Sequence, residues 1–179
     1  MNNHLIRFGC NACSMNPYGC NVCSYFSTFG TSKAQWCCGG DPGAEYDRYA
    51  SLYLTDALTV AAGGGVPFAV STLTPAFAYN ADNQLILLQA GIYQATYTVN
   101  IPAGAAVDTT FSLQLGGKTL PGSQVSVVRA ESDGSTTVTG QALFSASYAS
   151  PLALVSSDAV TLAGANSGDV LASLIVTTL

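Results

Sequence analysis

Six cysteines lie between Cys10 and Cys38, and none follows. Four form a tandem repeat, Gly-Cys-Asn-Ala-Cys-Ser at residues 9–14 and Gly-Cys-Asn-Val-Cys-Ser at residues 19–24. The other two, Cys37 and Cys38, are adjacent. Thiols gathered in one short leader serve something other than the packing of a core. Two chemistries suit them. As thiolates they ligate zinc or a similar ion; as oxidised pairs they form disulfides, within one chain or between chains.

Zinc would take Cys10, Cys13, Cys20 and Cys23, two Cys-x-x-Cys pairs supplying four thiolates. Only residues 14–19 separate those pairs, whereas zinc ribbons leave about 15–20 residues between them. Cys37 and Cys38 would also be left over. Disulfides meet a different geometry. A bridge inside one Cys-x-x-Cys closes a very small loop and constrains little. Joining adjacent Cys37 and Cys38 to one another would strain the ring, so they are placed to reach two different partners. Reduced thiols without a fixed partner are the third alternative. The aromatics beside the cysteines, Phe8, Tyr25, Phe29 and Trp36, have two readings. They are candidate anchors that dock the leader in a groove of another subunit, or they supply the small apolar content that a disulfide-stapled segment needs.

Other chemistry finds few residues to work with. The only histidine is His4, so a histidine-based triad or a His-rich metal centre has too few parts. Carboxylates are scattered singly. Glu131 and Asp133 share a Glu-Ser-Asp-Gly sequence that reads as a turn and lacks the oxygen donors of a calcium loop. No Gly-x-x-x-x-Gly-Lys-Ser/Thr or Gly-x-Ser-x-Gly occurs, and Gly63-Gly64-Gly65 precedes an expected strand rather than a phosphate-binding helix. The sequence reads as non-enzymatic, with no cofactor. Charged residues make up 8% of the chain, against about 25% in ordinary domains. Five basic residues do not line a phosphate track, so no nucleic-acid partner is expected. No run of about 18 apolar residues occurs, so neither a transmembrane helix nor a membrane partner is expected. The start, Met-Asn-Asn-His-Leu-Ile-Arg-Phe-Gly-Cys, has no apolar run of signal-peptide length, so export by a cleaved signal is not expected. Disulfides nevertheless belong to oxidising compartments. A protein assembled inside a cell that later lyses reconciles the two; so do thiols that stay reduced and bind metal.

The elements that must position these groups fall into two parts. Residues 1–45 show no useful helical or strand periodicity and read as an irregular connector. Cys37-Cys38-Gly39-Gly40-Asp41-Pro42-Gly43 is a cluster of breakers that marks the boundary. Residues 46–179 are enough for one domain with a real core. There apolar residues alternate with polar ones: Tyr93, Ala95, Tyr97 and Val99; Phe111, Leu113 and Leu115; Val138, Ala142, Phe144, Ala146 and Tyr148. Period two predicts strands with one buried face. Turn sequences such as Gly116-Gly117, Pro121-Gly122 and Asp133-Gly134 separate them. Nine or ten short strands and no helix predict an all-β antiparallel two-sheet sandwich or jelly roll. Two runs break the alternation, Leu85-Ile86-Leu87-Leu88 and Val170 to Val176. Apolar residues on both faces of a strand call for a cover, another subunit or a loop, unless the run is simply a central strand.

The strand Ala90-Gly91-Ile92-Tyr93-Gln94-Ala95-Thr96-Tyr97-Thr98-Val99 resembles the Gly-x-Tyr-x-x-x-Tyr strand of the complement and tumour-necrosis-factor jelly-roll superfamily. Asp108 to Gly117 follows at the family's distance, Val66-Pro67-Phe68 lies where the family places an early strand, and the sequence ends on a β-rich stretch, Leu171 to Leu179. The Ala/Thr/Ser/Gly-rich, charge-poor texture is similar to the C-terminal domain of the collagen-like glycoproteins of bacterial spore surfaces. The resemblance covers about residues 46–179 and implies a trimeric head. There is no Gly-x-y stalk; the cysteine leader stands in its place. The resemblance thus implies a spore-appendage subunit, with the head trimer joined to further copies in a filament or to a spore-surface anchoring protein. Three leaders converging near one axis raise the effective thiol concentration, and a leader stretched at about 3.3 Å per residue reaches a neighbouring trimer. Cys10, Cys13, Cys20, Cys23, Cys37 and Cys38 are then candidate intermolecular crosslinks. Leu85, Leu87, Tyr93, Tyr97, Leu171 and Ile175 are the candidate subunit-interface residues. The expected location is the spore surface or another extracellular site, after assembly in the mother cell. A glycan- or receptor-binding tip is the alternative use of the head.

Overall fold

A computed structural model of the chain describes residues 13–15, 21–25, 33–37 and 48–179, apart from 165 and 167. The chain divides into two compact units, Met1–Tyr46 and Asp47–Leu179. In the first, β1 (Cys13–Met15), β2 (Asn21–Tyr25) and β3 (Lys33–Cys37) form an antiparallel sheet in sequence order. These strands fall within the expected cysteine-rich segment, whose other residues lie outside the described ones. The pairing is carried by backbone groups, which leave no period-two apolar signature in so short and polar a segment.

The second unit is all β among the described residues. Its strands are β4 (Tyr49–Leu54), β5 (Leu58–Val60), β6 (Ala69–Leu73), β7 (Phe77–Tyr79), β8 (Leu85–Leu87), β9 (Gly91–Ile101), β10 (Val107–Leu115) and β11 (Lys118–Thr119). They continue as β12 (Val125–Arg129), β13 (Thr136–Ala146), β14 (Ser150–Ser156), β15 (Val160–Leu162) and β16 (Ala172–Thr178). That exceeds the nine or ten expected, because short strands such as β5, β11 and β15 leave no pattern over two or three residues. One main sheet runs β13-β9-β16-β4-β6; the other runs β11-β10-β14-β8-β7, with β12 also pairing β10, and β5 and β15 form a separate two-stranded ribbon. All pairings are antiparallel, and sequence neighbours such as β9 and β10 lie in opposite sheets. This is the two-sheet jelly roll that the alternation predicts.

The core lies between the sheets. Tyr93, Ala95, Tyr97 and Val99 of β9 and Leu174 and Val176 of β16 are buried from one side. Phe111 and Leu113 of β10, Leu152 and Leu154 of β14, and Leu85 and Leu87 of β8 are buried from the other. Local sequence closes some of the corners. Gly116 and Gly117, at φ +58° and +76°, join β10 to β11 with Leu115 opposite Lys118. A two-residue hairpin turn with both φ values positive needs such residues. Tyr148 breaks the expected pattern. It is exposed, because β13 ends at Ala146 and the chain turns through Ala149 at φ +58°.

Candidate functional site: an uncharged sheet face

The β13-β9-β16-β4-β6 sheet turns a second face outward, and its composition is unusual. None of the residues in these five strands is charged. Register sets the outward positions in rows. Leu143, Gln94 and Thr177 lie side by side, and the next row is Gln141, Thr96, Ile175 and Ser51. A further row holds Thr139, Thr98, Ser173 and Tyr53. Ile92 (53% exposed), Leu143 (67%) and Ile175 (44%) stand open on this face. A shallow groove of about 260 Å³ runs between Gln94, Gln141, Leu143 and Leu179. Hydroxyls satisfy one another locally: Ser51 Oγ donates to Tyr53 Oη at 2.8 Å, and Thr98 and Thr139 hydroxyls lie 3.5 Å apart. Apolar side chains set among neutral hydroxyls and amides suit contact with another protein surface, because little charge must be desolvated.

The core behind this face is held by two tyrosines. Tyr93 packs edge-on to Phe77 (centroids 6.0 Å, 75°) and stacks with Phe144 (5.9 Å, 19°), and its hydroxyl donates to the Gln89 carbonyl at 2.7 Å. The Tyr97 hydroxyl lies within hydrogen-bond reach of the Ser123 and Phe111 carbonyls, at 2.8 and 3.2 Å. Gly140 sits opposite Tyr97 in the β13–β9 ladder, and the ring lies over the space a Cβ would fill. Ser123 Oγ in turn accepts from the Leu113 amide (3.0 Å) and donates to the Leu120 carbonyl (2.8 Å). Burial pushes the Tyr97 phenol up to about 12. Burial also raises Tyr79, partly offset by the Phe68 amide, and raises Tyr93, partly offset by the positive charge of Arg48.

These positions correct the expected interface. Leu85, Leu87, Tyr93 and Tyr97 have no exposed surface, and Leu171 is 2% exposed. Each is filled into the core of its own subunit and has nothing left to offer a partner. Of the six, Ile175 alone reaches the surface. Ile92 and Leu143 were missed, although each is the apolar residue at an outward position of a strand that otherwise alternates. Of the leader residues, Cys13, Cys23, Tyr25, Trp36 and Cys37 fall in β1–β3. Phe8, Cys10, Cys20, Phe29 and Cys38 lie outside the described residues.

At one end of the sandwich a cleft of about 790 Å³ is lined by Asn100, Pro102, Ser135, Gly164, Asp169 and Leu171. The Asp169 carboxylate there accepts from the Asn166 amide at 2.8 Å. Beside it, buried Arg129 donates to the carbonyls of Pro102 (3.0 Å), Asp133 (3.0 Å) and Gly134, tying two loops together.

No protein-family profile matches the chain. No curated protein matches it either. Among solved structures, the Eiger TNF of S. frugiperda superposes with a TM-score of 0.58 at 12% identity, over 74% of this chain and 92% of that one. With the strand order and burial above, that likeness shows a jelly-roll fold of the kind seen in TNF.

Proposed function

We propose that the chain is a self-assembling structural subunit of an extracellular or spore-surface fibre, without enzymatic activity. Three jelly-roll heads associate through the uncharged sheet face. Residues 1–45 join each trimer to another trimer or to a spore-surface anchoring protein, and the leader cysteines lock the joint. The observation that carries this reading is that face: Ile92, Leu143 and Ile175 stand exposed on five strands without a charge. It can meet copies of itself without burying an unpaired charge, which would cost several kcal/mol. The resemblance to the complement and tumour-necrosis-factor superfamily supports three-fold symmetry. The spore surface fits the charge-poor texture and thiols that form reduced in a mother cell and oxidise once exposed. Electron microscopy of the purified assembly, with and without reductant, tests the proposal. Filaments, and a ladder on non-reducing denaturing gels that collapses with reductant, are expected. Discrete particles together with monomer alone on the gel refute it.

A second reading, a glycan- or receptor-binding tip, is favoured by the cleft at Asn100, Ser135 and Asp169. It predicts discrete trimers and a ligand-dependent change on substitution of Asp169. Zinc in the leader would be seen as stoichiometric metal in freshly purified, reduced protein.

A further inference from the structure

The leader's own sheet brings the two cysteine repeats into register. β1 and β2 pair with Cys13 opposite Cys23. Directly opposed residues of an antiparallel pair share a face, with Cα atoms about 4.5–5.5 Å apart. A disulfide spans about 4.4–6.8 Å. The competing pairing across β3 is less well placed. β3 sets Gln35 opposite Cys23 and Asn21 opposite Cys37, so β3 offers Cys23 no cysteine at its own level.

We propose that Cys13 and Cys23 form an intrachain cross-strand disulfide, leaving Cys10, Cys20, Cys37 and Cys38 for bonds to other chains. The bond forms by exchange with a small disulfide such as oxidised glutathione. One cysteine thiolate attacks it and expels a first small thiol; the second cysteine thiolate then displaces the other. The two cysteines lose two electrons, and both protons leave on the released thiols. The fate of the remaining four cysteines rests on the fibre reading, whereas the Cys13–Cys23 bond stands apart from it.

The test uses full-length chains grown separately with light and heavy nitrogen. They are mixed while reduced and unfolded, refolded, oxidised with glutathione disulfide and alkylated. Chymotrypsin cleaves after Tyr18, between the repeats, and the linked peptides are fragmented in a mass spectrometer. The expected result is a Cys13–Cys23 link found only as light–light and heavy–heavy. Light–heavy pairs in the statistical proportion, alkylated Cys13 and Cys23, or protection from alkylation that is lost with a chelator would each overturn the proposal. The double variant C13S/C23S loses this link and keeps the reducible ladder on gels. The variant C10S/C20S/C37S/C38S keeps the link and loses the ladder. A wild-type chain with the link but no ladder sinks the fibre reading and leaves this proposal standing.

Discussion

Gly140→Ala is the most direct test of how the head is built. A Cβ on Gly140 would come closer than 3.0 Å to Cε1, Cζ and Oη of Tyr97. The ring would have to retreat by on the order of 1 Å to reach an ordinary contact of about 3.5 Å. It has little freedom to do so, because Tyr97 is fully buried and its hydroxyl is held by the Ser123 and Phe111 carbonyls. Overpacking of this kind costs about 1–3 kcal/mol, and losing the hydroxyl's partners adds about 1 kcal/mol. Replacing a strand glycine returns about 0.5–1 kcal/mol of chain entropy. The net loss is about 1–3.5 kcal/mol, or roughly 4–14 °C in Tm for a domain of this size. Thermal unfolding at fixed protein concentration reads it, since association shifts Tm by mass action. The control is Tyr97→Leu, which removes the ring; in that background Gly140→Ala should be neutral or stabilising. A Gly140→Ala protein within about 2 °C of wild type, or an equal loss in both backgrounds, would falsify the close-packing argument.

Ser123→Ala should cost about 1–2 kcal/mol, because the buried Leu113 amide loses its partner, while the Leu120 carbonyl keeps only the Ser123 backbone amide; urea midpoints at constant slope measure it. Tyr97 ionises near 10 when unfolded and near 12 when folded. Its contribution, of order 2 kcal/mol, is therefore fully present below pH 10 and lost as pH rises from 10 to 12. Urea titrations across that window should show a fall that Tyr97→Phe makes shallower; equal slopes for both proteins count against it. Ile175→Asp places a charge in the middle of the uncharged face. Light scattering should show the proposed trimer dissociated to a monomer whose circular dichroism is unchanged; a variant as large as wild type would refute association through this face.

Much of the head was legible in the sequence. Strands β9, β10 and β13 alternate over nine to eleven residues, and period two decides both their type and their buried side. The exposed apolar positions were not legible, for a related reason. In Val170 to Val176 and in Leu85 to Leu88 apolar residues are adjacent, so the pattern names no inward side. Pairing Leu174 with Tyr97 on one flank and with Leu52 on the other settles it, placing Ile175 outward. The large aromatics Tyr93 and Tyr97 drew attention as contact residues, yet their size is what fills the centre of the sandwich.

The cysteine leader divides along the same line. The repeat and its spacing are sequence facts, and they establish that the thiols stand apart from the core. Which cysteine faces which is set by strand register. That register depends on backbone hydrogen bonds between segments whose side chains carry no pairing signal. Composition and period two by themselves determined an all-β, charge-poor head preceded by a thiol-rich leader, because burial of alternate residues is a local demand. The opposition of Cys13 to Cys23, the nesting of Tyr97 over Gly140 and the exposure of Ile92, Leu143 and Ile175 were decided only by tertiary structure. Each depends on which strands become neighbours, a choice made by the whole chain at once.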